Sequence, residues 1–106
     1  MPVTLERPCL DGFADVEQFA IEHDLTESLF VAYDILRDLY PTATRIYAEP
    51  YTDPEDGHET VTLFVCGPDQ DVSEEVRLEL EWNHRVCRTL KPDALFRIVM
   101  LREYEE

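Results

Sequence analysis

The chain has 106 residues, 44% of them hydrophobic and 31% charged, with nine Lys and Arg against 24 Asp and Glu for a net charge of −15. That size suits one soluble globular domain burying roughly two-thirds of its unfolded surface, enough for a core without metal or disulfide staples. The charge argues against nucleic-acid and anionic-membrane binding and favours encounter with a basic protein partner, although it also serves plain solubility.

The N-terminus, Met-Pro-Val-Thr-Leu-Glu-Arg-Pro, lacks the basic stretch and apolar core of a secretory signal. No apolar run approaches the roughly 20 residues that span a bilayer. Cys9, Cys66 and Cys87 are odd in number and show no C-x-x-C spacing. They fit neither a disulfide framework nor a zinc ribbon, and a reducing cytoplasm is the expected compartment. Cys66 and Cys87 are expected to be small core residues.

In chain order, residues 1–12 contain Pro2 and Pro8 without a sustained period, and read as an extended arm. Residues 14–23 read as a helix with Val16, Phe19 and Ala20 on one face, capped by Asp11 or Asp15. His23 at its end suits the helix dipole. Thr26 is expected to cap a second helix over 27–40, in which Leu29, Ala32, Leu36 and Leu39 recur at helical steps. Pro41 ends it.

Residues 44–66 read as a β-hairpin. Ile46 and Ala48 face one way, against Arg45, Tyr47, Glu49 and Tyr51. In the second strand Val61, Leu63 and Val65 oppose Thr60, Thr62, Phe64 and Cys66. Gly57 supplies a positive φ at the tip, and Pro50 suits a strand end or bulge. Asp71, with Ser73 competing, caps a helix running to about Leu90, whose expected inner stripe is Val72, Val76, Leu80, Asn83, Val86, Cys87 and Leu90. Lys91-Pro92-Asp93 reads as a turn and residues 95–102 as the last strand. The expected fold is therefore α+β, in the order α-α-β-β-α-β. It has a three-stranded mixed sheet of order 2-1-3, helices mainly on one face, and Tyr47, Tyr51 and Phe64 on the other, which is either an open docking surface or covered by the N-terminal arm or one of the first two helices.

The hairpin tip holds the densest set of ligand-type side chains, Asp53, Glu55, Asp56, His58 and Glu59. Metal binding or an enzyme site there is the alternative functional reading. The spacing is not that of a calcium loop, because Gly57 is fifth from Asp53 and Phe64 stands twelfth. Glu81 and His84 form one Glu-x-x-His pair, where a dimetal centre needs two. No nucleophile elbow, P-loop or dinucleotide fingerprint is present. No catalytic residue and no cofactor is expected. The largest acidic surface combines the tip with Glu74, Glu75, Glu79 and Glu81 on the third helix.

Four local motifs resemble a family of small uncharacterised bacterial α+β domains. They are Tyr40-Pro41, Asp53-Pro54-Glu55 with Gly57, Val72-Ser73-Glu74-Glu75, and the closing apolar run from Phe96 to Leu101. The resemblance covers about residues 25–104 and implies an accessory or regulatory role without an activity. Together these readings predict a non-enzymatic interaction protein that binds a basic partner, as the neutralising half of a two-protein system. The contact residues would be Tyr47, Tyr51, Phe64, Glu74, Glu75 and Glu79. A homodimer through the open sheet face is a further reading.

Overall fold

The structure is a computed structural model that describes residues 12–68 and 70–105. The expected arm, with Cys9, lies outside them apart from Gly12. The elements are α1 (Phe13–Glu22), α2 (Thr26–Leu39), β1 (Arg45–Thr52), β2 (Glu59–Pro68), α3 (Val72–Thr89), α4 (Pro92–Arg97) and β3 (Ile98–Glu105). The α+β class and the three-stranded mixed sheet are as expected. No described helix is long and apolar enough to cross a membrane.

The strand order is β1-β2-β3 rather than 2-1-3. β2 is central, antiparallel to β1 and parallel to β3. Two features of the chain explain the difference. Pro50 lacks the N–H that a central ladder needs, and costs nothing on an edge strand. The β2 run Val61-Thr62-Leu63-Phe64-Val65 suits a strand flanked on both sides, and Thr62 is buried although it lies on the face away from the helices.

One sheet face carries the core. Ile46 and Ala48, then Val61, Leu63 and Val65, then Ile98 are all buried, and they pack with Val16, Ala20, Leu29, Ala32, Leu36 and Tyr40 from the first two helices. The apolar stripe of α2 falls where its period placed it. Its cap does not. Thr26 is already helical, Leu25 takes the N-cap position, and no side chain caps the end. At α1 the N-cap is Gly12 in the left-handed region (φ 78°), again without a side-chain cap, so Asp15 does not serve. The reason is close packing. A Cβ at position 12 would lie 2.3 Å from the Ala48 carbonyl oxygen on β1.

At α3 the cap is Asp71, whose carboxylate accepts from the Ser73 N–H (3.1 Å). The inner face of α3, however, is not the expected one. Leu78, Trp82 and Val86 are buried, with Leu90 just beyond, whereas Val72, Val76, Leu80, Asn83 and Cys87 are exposed. The helix carries two apolar stripes, and the one containing Trp82 enters the core because it fills more volume and buries more area. Cys87 is therefore not a core residue. Cys66 is half-buried on the opposite sheet face, and among the described residues neither cysteine forms a disulfide.

The expected turn at Lys91-Pro92-Asp93 is instead the start of α4. Pro92 takes the first helical position, where its missing N–H is harmless. Residues 95–97 are helical, and β3 begins three residues later than the apolar pattern predicts.

Arg102 fastens β3 to the rest. Its guanidinium meets the Glu75 carboxylate through two nitrogens (3.1 and 3.0 Å) and donates to the Val65 and Pro68 carbonyls (2.9 and 3.1 Å). It lies over the Tyr40 and Tyr104 rings at 5.0 and 4.8 Å. The two charged side chains are 7% and 14% exposed.

Candidate docking face

Because side chains alternate along a strand, the register fixes what the second sheet face presents. Tyr47, Phe64 and Leu101 form one row across the three strands. Glu49, Thr62 and Val99 form the next, and Arg45, Cys66 and Glu103 the row on the other side. Tyr51 sits opposite Thr60 at the tip end. Tyr51, Val99 and Leu101 stand out as exposed large hydrophobics, and among the described residues no helix packs on this face. The expected trio Tyr47, Tyr51 and Phe64 is thus brought together. Sequence reasoning missed Val99, Leu101 and Glu103. The signal for them was present in the alternation of Val99, Leu101 and Glu103 against Ile98, Met100 and Arg102. It could be read only once β3 was placed beside β2.

The face is internally ordered. The Tyr47 and Phe64 rings stack at 4.8 Å with 15° between planes. The Arg45 guanidinium lies 4.2 Å over the Tyr47 ring. Glu103 Oε1 accepts from the Tyr47 hydroxyl (2.8 Å) and the Cys66 thiol (3.1 Å). These two bonds, the thiol's first, hold the Glu103 carboxyl below its ordinary range. Burial, and then the bond to Glu103, pushes the Tyr47 phenol up to about 12. Tyr40 in the core is pushed up to about 12 by burial and then by the Glu75 charge.

These two phenols give a pH prediction. Their pKa values in the fold exceed the unfolded value of about 10, so the neutral forms are the stabilising ones. That contribution is complete below about pH 10 and is lost as the pH rises through 12. In an ultraviolet titration of the folded protein, Tyr40 and Tyr47 are expected to resist ionisation until the chain unfolds. The denatured chain should titrate as a single class. Five tyrosines ionising together near pH 10 in the folded protein would contradict these environments.

The hairpin tip adjoins this face and is structurally engaged. Asp53 accepts from the Glu55 N–H and Asp56 from the His58 N–H, both at 2.8 Å. Gly57 takes a φ of 74°, as its place in the turn predicts. His58 Nε2–H donates to the Phe96 carbonyl (3.1 Å), and Glu59 lies 3.8 Å from His23. Among the described residues no group of three or more His, Cys, Asp and Glu side chains is placed to hold a metal ion. Tyr51, Asp53, His58, Thr62, Val99 and Leu101 line a shallow groove of about 350 Å³ where tip and face meet.

The acidic helix is a different matter. Glu74 is held below its ordinary range by Arg77, Glu81 pairs with Arg85 (3.1 Å), and Glu75 is engaged by Arg102. Only Glu79 of the three expected contact carboxylates on α3 remains exposed without an ion-pair partner among the described residues. His84 is exposed, beside Arg88, while Trp82 is core. None of the ion pairs among the described residues involves Glu49, Asp53, Glu55 or Asp56. Carboxylates without an ion pair among the described residues thus border the open sheet face and its tip, whereas most of those on α3 are paired.

No protein-family model, curated protein or solved structure matches the chain.

Proposed function

We propose that this chain is an acidic, non-enzymatic interaction protein whose open sheet face docks a basic protein partner, acting as the neutralising half of a two-protein system. The supporting observation is the coincidence on one face of an apolar belt and carboxylates outside any ion pair among the described residues. Tyr47, Phe64, Leu101, Tyr51 and Val99 supply area that gains by leaving water. Glu49, Asp53, Glu55 and Asp56 at its margin supply complementary charge, which steers encounter and selects cationic partners. The tip's carboxylates act here as rim charges, and their turn bonds fix where those charges stand.

Two exposed positions on β1 allow a test that leaves the core alone. The tagged protein and a Glu49→Lys/Tyr51→Lys variant are used to capture proteins from the host at low salt. The wild type is expected to retain one predominant protein of basic isoelectric point, released as salt screens the contact, and the variant to retain none of it. Equal retention by both proteins, or retention of acidic proteins only, would remove the support for this face.

A further inference from the structure

We propose that the chain also self-associates, as a two-fold dimer formed by the free edge of β3 and the exposed apolar stripe of α3. The occupant of that surface is a second copy.

The stripe is the part of α3 that its sequence period marked as core and the fold leaves outside. Val72, Val76 and Leu80 are 76%, 52% and 64% exposed. They recur every four residues, with exposed Asn83 and Cys87 continuing the line, so they share one side of the helix. Asn83 and Cys87 at the C-terminal end of this line share a groove with β3, an edge of the sheet. Between α3 and β3 lies a groove of about 460 Å³ lined by Trp82, Val86, Leu95, Met100 and their neighbours.

Edge strands are normally protected by proline, lysine or a bulge. β1 has Pro50. The first half of β3, Ile98-Val99-Met100-Leu101, has none of these. Among the described residues nothing pairs with its outer side. A second β3, running antiparallel, offers a matching row of donors and acceptors. A two-fold axis makes the contact self-complementary, because each copy gives what it receives. The same axis brings the two α3 stripes together over the joint. The sheet then has six strands, and the two docking faces become one surface.

Charge decides in favour of a second copy here. Residues 72–105 hold seven carboxylates and six cationic side chains, whereas residues 1–71 hold sixteen carboxylates and three cationic side chains. Nearly all the net charge of −15 thus belongs to the first two-thirds of the chain. Two copies of so acidic a protein repel each other across most of their surfaces. The α3–α4–β3 side is where that repulsion is least, and on α3 Glu74 is offset by Arg77. A basic partner would gain little from a side so close to neutral. It belongs on the hairpin side.

The two contacts respond to salt in opposite directions, which makes the proposal testable apart from the basic-partner reading. Sedimentation velocity of the full chain over a range of protein concentrations is expected to show a monomer–dimer equilibrium. Added sodium chloride should tighten it, by screening the residual repulsion. Leu80→Glu, a change at an exposed position that spares the core, is expected to weaken dimerisation by about tenfold or more, since it buries an unpaired charge. Val76→Glu should do the same independently. Glu49→Lys/Tyr51→Lys is expected to leave the dimer intact. A wild type that is monomeric at every concentration and salt level would overturn the proposal. So would Leu80→Glu and Val76→Glu variants that dimerise like wild type, or loss of the dimer in the β1 variant alone.

Discussion

Arg102→Met is expected to cost up to about 3–5 kcal/mol of folding stability, because it leaves the part-buried Glu75 carboxylate without its cation. That is a large share of the roughly 5–15 kcal/mol that holds a domain of this size together. The guanidinium engages five partners at once. It pairs through two nitrogens with Glu75 on α3, satisfies the Val65 and Pro68 carbonyls at the end of β2, and lies over two tyrosine rings. Methionine replaces the volume and the contact with the rings but none of the five donors. Arg102→Lys does not rescue it, since one ammonium cannot reproduce a planar fork. Removing both charges, with Glu75→Leu added to Arg102→Met, is expected to recover most of the loss, because no ion is then left unpaired. Urea unfolding of the three proteins measures all of this. A loss of under about 1 kcal/mol in the single variant would be the behaviour of a surface pair, and would mean that the Arg102–Glu75 pair does not pin β3 to the fold.

Gly12→Ala is the second large effect, expected at about 2–5 kcal/mol. A left-handed residue other than glycine costs about 1–2 kcal/mol, and overfilling a packed site adds about 1–3. Both terms apply at once, because position 12 has a φ of 78° and its Cβ would meet the Ala48 carbonyl oxygen at 2.3 Å. That oxygen belongs to the β1 backbone and cannot swing aside as a side-chain tip would. Gly57 is the internal control. It also has a positive φ (74°), yet nothing lies within 4 Å of its Cβ position, so Gly57→Ala carries the conformational cost alone. Thermal unfolding should rank Gly12→Ala well below Gly57→Ala. Equal losses would show that the approach of α1 to β1 is looser than the structure has it.

Much of the fold was legible because burial follows period. The hairpin faces, the α2 stripe, the Asp71 cap and the Gly57 turn all come from local rules, and the structure contains each of them. What was illegible depended on competition between elements. The α3 sequence has two apolar lines about a third of a turn apart, and only the presence of β3 and α2 decides which one is buried. Trp82 was the available clue, since so large a ring seldom stays on the surface. The strand order turns on Pro50, whose missing N–H fits an edge strand as well as it fits a strand end or bulge. α4 was hidden because Lys91-Pro92-Asp93 describes a turn and the first turn of a helix equally well. The candidate site was half legible. Its aromatic members on the hairpin follow from alternation alone, whereas Val99, Leu101 and Glu103 depend on long-range pairing that no local pattern reports. Glu75 reads as a surface carboxylate in sequence. Its ion pair with Arg102 joins residues 27 positions apart.

The claim that the open sheet face is the docking surface for cationic partners can be tested residue by residue. The direct measurement is a heteronuclear magnetic-resonance titration of the isotopically labelled chain with a short peptide of alternating lysine and leucine. The amide signals of Tyr47, Glu49, Tyr51, Phe64, Thr62, Val99 and Leu101 are expected to shift together and saturably, and to return as salt is added. The acidic side chains of α2, Glu27, Asp34 and Asp38, should remain still. Shifts spread over every acidic surface in proportion to charge, or confined to the hairpin tip, would show that the chain attracts cations without a site, and would contradict the account.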